Sequence, residues 1–253
     1  RSSAASDVYK RQYLYDDNGH GTHVAGIIAG SGKGSNGKYR GIAPDTFLVS
    51  VKVLDKSGNG KIENVVEAAG WIIENKSAMN IRVVNISFGT RAKMENGPAI
   101  ETGEDDYALI MAVEKMWDSG IVVVAAAGNN GPGNTSVTAP GISKKIITVG
   151  AFDDKNFFSG RGPTRECIVK PEVVVTGSNI IACNNHQGRY SSKSGTSMAA
   201  PVVSGAVARL IKNNPDITPK EVKIWMKSCC KKINVPSEKQ GWGVLDIRKF
   251  VTG

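Results

Sequence analysis

The sequence lacks long apolar runs and has few aromatics, few histidines and few cysteines, and each scarcity removes a class of function. No stretch approaches the roughly 18 consecutive apolar residues of a membrane-spanning helix, so no membrane partner is expected. Six phenylalanines and six tyrosines accompany a formal charge of +9. The lysines and arginines are scattered along the chain, which argues against a nucleic-acid partner. The four cysteines, Cys167, Cys183, Cys229 and Cys230, show no Cys-x-x-Cys spacing. The vicinal pair falls in a predicted helix, where adjacent Cα atoms about 3.8 Å apart are too close for an ordinary bridge. With no disulfide framework, a reducing, cytoplasmic compartment is favoured over a secreted one. The sequence also shows no internal repeat, low-complexity tract or linker, and 253 residues suit one domain, expected to be a monomer.

What is present is an alternation of strand-like and helix-like stretches. Strands are predicted over Thr46 to Leu54, Ile81 to Phe88, Ile121 to Ala127, Ile146 to Ala151, Glu172 to Thr176 and Asn179 to Cys183. Helical spacing covers Lys61 to Asn75, a stretch bearing Leu109, Val113, Met116 and Trp117, and the small-residue run that follows Ser197. Thr218-Pro219-Lys220-Glu221 is a capping box with proline at the first helical position, opening a helix predicted to reach about Lys232. This order predicts a three-layer α/β domain, a mostly parallel central sheet with helices on both faces, whose ligand site lies beyond the carboxyl ends of the strands.

The stretch Ser194-Gly195-Thr196-Ser197-Met198-Ala199-Ala200-Pro201 crowds small residues around one serine at a helix start, with Pro201 expected in the first turn. Free amides there favour negative charge, so an oxyanion could be bound. A serine hydroxyl needs a neighbouring base and donors aimed at the oxyanion that forms. His20, where the loop Asp16-Asp17-Asn18-Gly19 runs into a helix, is free to be that base. Asn129, after the strand ending in Ala127, offers a side-chain amide. His23, one turn into the helix, reads as a satisfied structural histidine. Two histidines without a third ligand at metal spacing predict no metal site. No histidine follows Ser197, which excludes the order Ser…Asp…His of the α/β-hydrolases and leaves Asp…His…Ser.

His20-Gly21-Thr22-His23-Val24-Ala25-Gly26, Ala126-Ala127-Gly128-Asn129 and Gly195-Thr196-Ser197-Met198-Ala199-Ala200-Pro201 resemble the three signature segments of the subtilisin-like serine proteases, the subtilases. The likeness runs from about Asp16 to Val251. Asn-Gly-Lys-Tyr-Arg-Gly-Ile-Ala-Pro and Trp117 to Val123 resemble most the bacterial AprX-type branch. The resemblance implies an endopeptidase working through an acyl-enzyme on protein or peptide substrates, with His20 as base, Ser197 as nucleophile and Asn129 as oxyanion donor. It makes Ser87, Phe88 and Gly89, with Ala126, Ala127, Gly128 and Thr196, the residues that flank an extended substrate and shape the pocket for the residue before the cut. Small alanines and glycines predict an open, mainly apolar pocket. Ala139-Pro140-Gly141 matches a turn that can hold a cis proline.

Three features depart from the family pattern. The family's catalytic aspartate stands some thirty residues before the histidine, whereas Asp7, Asp16 and Asp17 are all too close to His20. The third member of the triad is therefore expected to be missing, together with the first strand, from a catalytic domain spanning residues 13–253. Residues 1–12 read as a non-native leader. In a subtilisin, loss of that aspartate costs about 3 × 10⁴ in kcat, so this chain is expected to be nearly inactive. The alternative is a non-catalytic peptide-binding pseudoprotease. The loop from Ser31 to Gly41, where many relatives bind calcium, carries Lys33, Lys38 and Arg40 and no carboxylate, which argues against calcium and leaves no cofactor expected. Val175-Thr176-Gly177 replaces the usual Ala-Pro-Gly, which is read as neutral.

Overall fold

The computed structural model describes residues 15–90, 103–186 and 190–253. The leader expected over residues 1–12 lies outside the described residues. Six strands form the central sheet: β1 (Val83–Ile86), β2 (Val122–Ala126), β3 (Ile147–Ala151), β4 (Val173–Val175), β7 (Cys230–Lys231) and β8 (Val244–Leu245), in the order β1-β2-β3-β4-β8-β7. Every neighbouring pair is parallel except β7 with β8. Strands β2, β3 and β4 are buried along their whole length, as expected where helices cover a parallel sheet.

Around the sheet stand α1 (His20–Ala29), α2 (Ile62–Asn75), α3 (Glu104–Asp118), α4 (Thr196–Asn213), α5 (Pro219–Ser228), the short α6 (Ser237–Gln240) and α7 (Ile247–Thr252). Helix α2 packs on α3, and α1 and α7 both pack on α4, which lies along β1, β2, β3 and β4. The 18-residue α4 is the spine of the core, with Ala199, Ala200, Val203, Ala206, Val207 and Leu210 fully buried. Small side chains on its outer turns let α1 and its flank approach closely. A Cβ on Gly205 would sit 2.7 Å from Ile42.

Four local expectations are corrected. Thr46 to Leu54 forms no strand; Phe47 is 73% exposed and Val51 39%. An apolar stretch becomes a strand only when a neighbour completes its ladder. No described strand pairs with this stretch, and among the described residues β1 stands at the sheet's edge, paired with β2 alone. Ile180–Cys183 (β5) leaves the main sheet and pairs antiparallel with Tyr190–Lys193 (β6), a strand too polar to be read from its sequence. Helix α5 stops at Ser228 rather than near Lys232, because Cys230 and Lys231 are recruited to pair with Leu245 and Val244. The vicinal cysteines therefore lie beyond the helix, and all four cysteines are free. Pro201 is the sixth residue of α4, in its second turn rather than its first.

Candidate active site

The carboxyl ends of β1 and β2 and the start of α4 meet at one place. Gly195, at φ +146°, adopts a backbone conformation that a side chain would strain, and its N–H donates to Gly177 O at 2.9 Å. The turn that offers this carbonyl is clamped by Asp153, whose carboxylate accepts from Thr176 Oγ1 at 2.5 Å, Gly177 N at 2.8 Å and Ser178 N at 3.2 Å. The backbone entering α4 is thus fixed from behind.

Asn129 is fixed by that same turn of α4. Its Oδ1 accepts from Thr196 N at 3.0 Å and from Thr196 Oγ1 at 3.1 Å, and Thr196 Oγ1 in turn accepts from Gly128 N at 3.1 Å. Two donors on Oδ1 set the orientation of the amide, which leaves Nδ2 as the outward donor. The Ser197 N–H, in the first turn of α4, has no carbonyl four residues back within the helix to pair with. The Asn129 amide is therefore anchored at the start of α4, where unpaired N–H groups favour an anion.

Ser87 and Ser197 are joined twice. Ser87 Oγ donates to Ser197 O at 2.9 Å, and Ser197 Oγ donates to Ser87 O at 2.9 Å. The side chains of Ala126 and Ala127 are buried, and the N–H and C=O of Ala127 are taken by Val149 O and Thr138 N. That segment offers a wall more than hydrogen bonds. Phe88 is half-buried against the core, and Gly89 is exposed.

His20 opens α1. Asp16 caps that helix: its Oδ1 accepts from Gly19 N at 2.7 Å and Asn18 N at 3.1 Å, and its Oδ2 from Thr22 N and Thr22 Oγ1, both at 2.7 Å. Burial pushes the Asp16 carboxyl up, but the hydrogen bonds from Gly19, Thr22 and Asn18 outweigh it and hold the group at about 2. Burial, and after it the charges of Lys193 and His23, push the His20 imidazole below its usual pKa against the pull of Asp16. His23 is fully buried and its Nε2 lies 3.0 Å from Ser191 O, but its Nδ1 has no hydrogen-bond partner among the described residues, so the histidine expected to be satisfied is so on one nitrogen only.

The structure therefore draws Ser87, Gly128, Asn129, Thr196 and Ser197 into one hydrogen-bonded cluster. His20 stands outside it: among the described hydrogen bonds, none joins His20 to Ser197 or to a carboxylate. The two regions are linked by the β5–β6 hairpin, which meets α1 at His23 and Gly26 and runs from Lys193 into Gly195. Sequence reasoning missed Lys193, Asp153 and Thr138. Their only signal was position: Asp153 lies just after a predicted strand, Thr138 just before Ala-Pro-Gly and Lys193 just before Ser-Gly-Thr-Ser. The Ala139-Pro140 bond is cis, as are three other X-Pro bonds. Among the described residues, no group of three or more histidine, cysteine or acidic side chains is placed to hold a metal ion.

The structure thus brings a helix-start serine and an anchored amide to the carboxyl ends of parallel strands. The subtilase family profile matches residues 1–243, and the chain belongs to that family. It is 40% identical over 251 residues to the serine protease AprX of Bacillus subtilis strain 168, a match covering 88% of this chain and 55% of that protein. The chain thus spans little more than half the length of that relative. It is 35% identical to subtilisin DY of Bacillus licheniformis over 221 residues, covering 87% of this chain and 73% of that one. Among solved structures, a cold-adapted subtilisin-like serine proteinase superposes with a TM-score of 0.74 at 30% identity, covering 97% of this chain and 79% of the other.

Proposed function

We propose that this chain carries the catalytic domain of a serine endopeptidase that hydrolyses peptide bonds through an acyl-enzyme. The observation that carries the proposal is that the Asn129 amide is anchored to Thr196, the residue before Ser197 at the start of α4, in a chain of the subtilase family. Ser197 Oγ attacks the substrate carbonyl carbon while His20 takes its proton. Asn129 Nδ2 and Ser197 N–H hold the oxyanion. Collapse breaks the C–N bond as His20 returns the proton to the amine, and water repeats the sequence to free the acid. At rest Ser197 Oγ is held by Ser87 O, so it must turn away from that carbonyl to engage His20.

The carboxylate that would orient His20 is proposed to come from a strand filling the open edge of β1. Two observations support this: among the described residues β1 pairs with β2 alone, and of the two described acids just before His20, Asp16 spends both oxygens capping α1 and Asp17 pairs with Lys52. On its own the chain is then a slow acylating enzyme. A second reading, a peptide-binding pseudoprotease, draws on the same lack of a described carboxylate hydrogen-bonded to His20. A small fluorophosphonate separates the two. Slow covalent labelling of the chain that disappears in Ser197→Ala and falls in His20→Ala supports the protease. Labelling that persists in Ser197→Ala, or a folded chain that never labels, rejects it.

A further inference from the structure

The hairpin of β5 and β6 lies along α1, and the match between them can be counted. A Cβ on Gly26 would sit 2.8 Å from Cys183 N, and Cys183 is the ladder partner of Tyr190. One turn earlier in α1, His23 Nε2 is 3.0 Å from Ser191 O. Strand β6 and helix α1 therefore run in opposite directions. One further turn back on the helix is His20, and two residues on along β6 is Lys193, on the same strand face as Ser191. Three helical residues rise about 4.5 Å and two strand residues about 6.6 Å, so Lys193 comes level with His20. Its charge is felt there and at His23.

The ammonium is not spent on the protein itself. Lys193 is half-buried, and among the described residues its Nζ makes no hydrogen bond or ion pair. Asp16, the carboxylate that acts on His20, already accepts from Gly19, from Asn18 and twice from Thr22. Lys38 lies over the ring of Tyr39, which meets the ring of Tyr190 at 5.1 Å, so a second positive charge stands towards the other end of β6. A lysine on its flexible stem, with no partner and beside the base, is a point charge open to an anion.

On the protease reading, the leaving amine departs past the base that protonates it. Ser197 is bonded to Ser87, and Thr196 to Gly128, so residues 87–89 and 126–128 flank the acyl half of the substrate. His20 stands outside that cluster, and the chain beyond the cut meets α1 and β6. We infer that Lys193 selects among substrates there: its ammonium favours an aspartate or glutamate within the first two residues after the scissile bond. The inference rests on the protease reading. It gives a charge preference to the leaving side of a cleft whose acyl side, from Ser87 to Gly89 and from Ala126 to Gly128, carries no charge.

The test needs only an acyl-enzyme, which suits a slow enzyme. A blocked alanine p-nitrophenyl ester acylates Ser197, and dipeptide amides of alanine with glutamate, glutamine or lysine at the first or second position compete with water for it. The acceptor's amine forms the new C–N bond, the C–O bond to Ser197 breaks, and the amine proton passes through His20 to Ser197 Oγ. By microscopic reversibility an acceptor occupies the place of a leaving group. At pH 8, glutamate should be taken about fivefold more often than glutamine at one of the two positions, the upper range of an exposed ion pair, and lysine less often still. Lys193→Gln should remove the preference and Lys193→Glu should invert it towards lysine. Sodium chloride at 1 M, where the screening length is about 3 Å, should shrink it. Each ratio compares acceptors for one acyl-enzyme, so a change at His20 that slows all of them cancels. Equal acceptance of the three amides in the parent chain, a preference that survives in Lys193→Gln, or hydrolysis with no acceptor taken overturns the inference. If the folded chain does not turn the ester over, or Ser197→Ala turns it over equally well, the protease reading itself falls and takes this one with it.

Discussion

Ser87 Oγ donates to the one carbonyl of α4 that Pro201 cannot serve. An α-helical N–H at position 201 would pair with Ser197 O, but proline has none, and the orphaned carbonyl accepts from Ser87 Oγ at 2.9 Å instead. Pro201 and Ser87 are therefore coupled through the nucleophile's own backbone. Ser87→Ala should destabilise the chain by about 0.5–1.5 kcal/mol, since it removes the donor to a part-buried acceptor. In a Pro201→Ala background, where an N–H returns, the same change should cost measurably less. Urea denaturation of the four proteins reads the difference; equal costs in both backgrounds would refute the coupling.

Asn129→Ala removes the outward amide and releases Thr196 from its anchor. Loss of one oxyanion donor costs about 10²–10³ in rate, a magnitude for which a subtilisin, a relative of this chain, is the source. Fluorophosphonate labelling of Ser197 should slow by that order with little change in the probe's binding step. A fall of less than threefold would mean that Asn129 does not face the reacting centre.

The acid limb of labelling should lie below pH 6.5, the usual imidazole value, because burial and the Lys193 charge depress His20. Removing that charge favours the protonated imidazole, so Lys193→Gln should move the limb upward. The same depression makes folding weaken as pH falls through the ordinary imidazole range, since the unfolded chain then binds more protons. The Cε1 proton of His20, followed by NMR against pH, checks the direction; an unmoved or lowered midpoint in Lys193→Gln contradicts it.

At the amino ends of the strands, Lys170 is fully buried with its ammonium 2.8 Å from Glu172 Oε1, and Lys223 reaches the same oxygen at 2.9 Å. Burial pushes Lys170 down to about 8 in spite of Glu172. Glu172→Ala would leave a buried cation without its counter-charge and should cost about 3–5 kcal/mol in thermal or urea unfolding. Because the folded chain holds this proton less tightly than the unfolded one, Lys170's contribution to stability rises between about pH 8 and 10.5. Lys170→Met should flatten that rise, and an identical profile in the variant would count against it.

Much of the fold could be read from residues whose meaning is local. Thr218, Pro219 and Glu221 form the capping box their spacing predicts, with Glu221 N donating to Thr218 Oγ1 and the Glu221 carboxylate accepting from Thr218 N. The unbroken apolar run of β2 and the glycine before Thr196 were equally plain. What failed was whatever depended on a distant partner. Thr46 to Leu54 has a strand's composition but no described neighbour, whereas Tyr190–Lys193 has a neighbour without the composition. In the site, Asn129 and Ser197 carry their chemistry in their side chains, which is why the sequence singles them out. Asp153 acts through the turn it clamps, and Lys193 through its field at His20, and neither quality is written in a residue's type.

The flank of β1 that no described strand covers also bears on how the chain behaves in solution. That edge, together with the exposed Phe47 and Val51, invites a second copy to dock. Like charge, +9 per molecule, holds two copies apart. Dissolved salt weakens that repulsion without touching the apolar attraction, so light scattering should rise as sodium chloride is added.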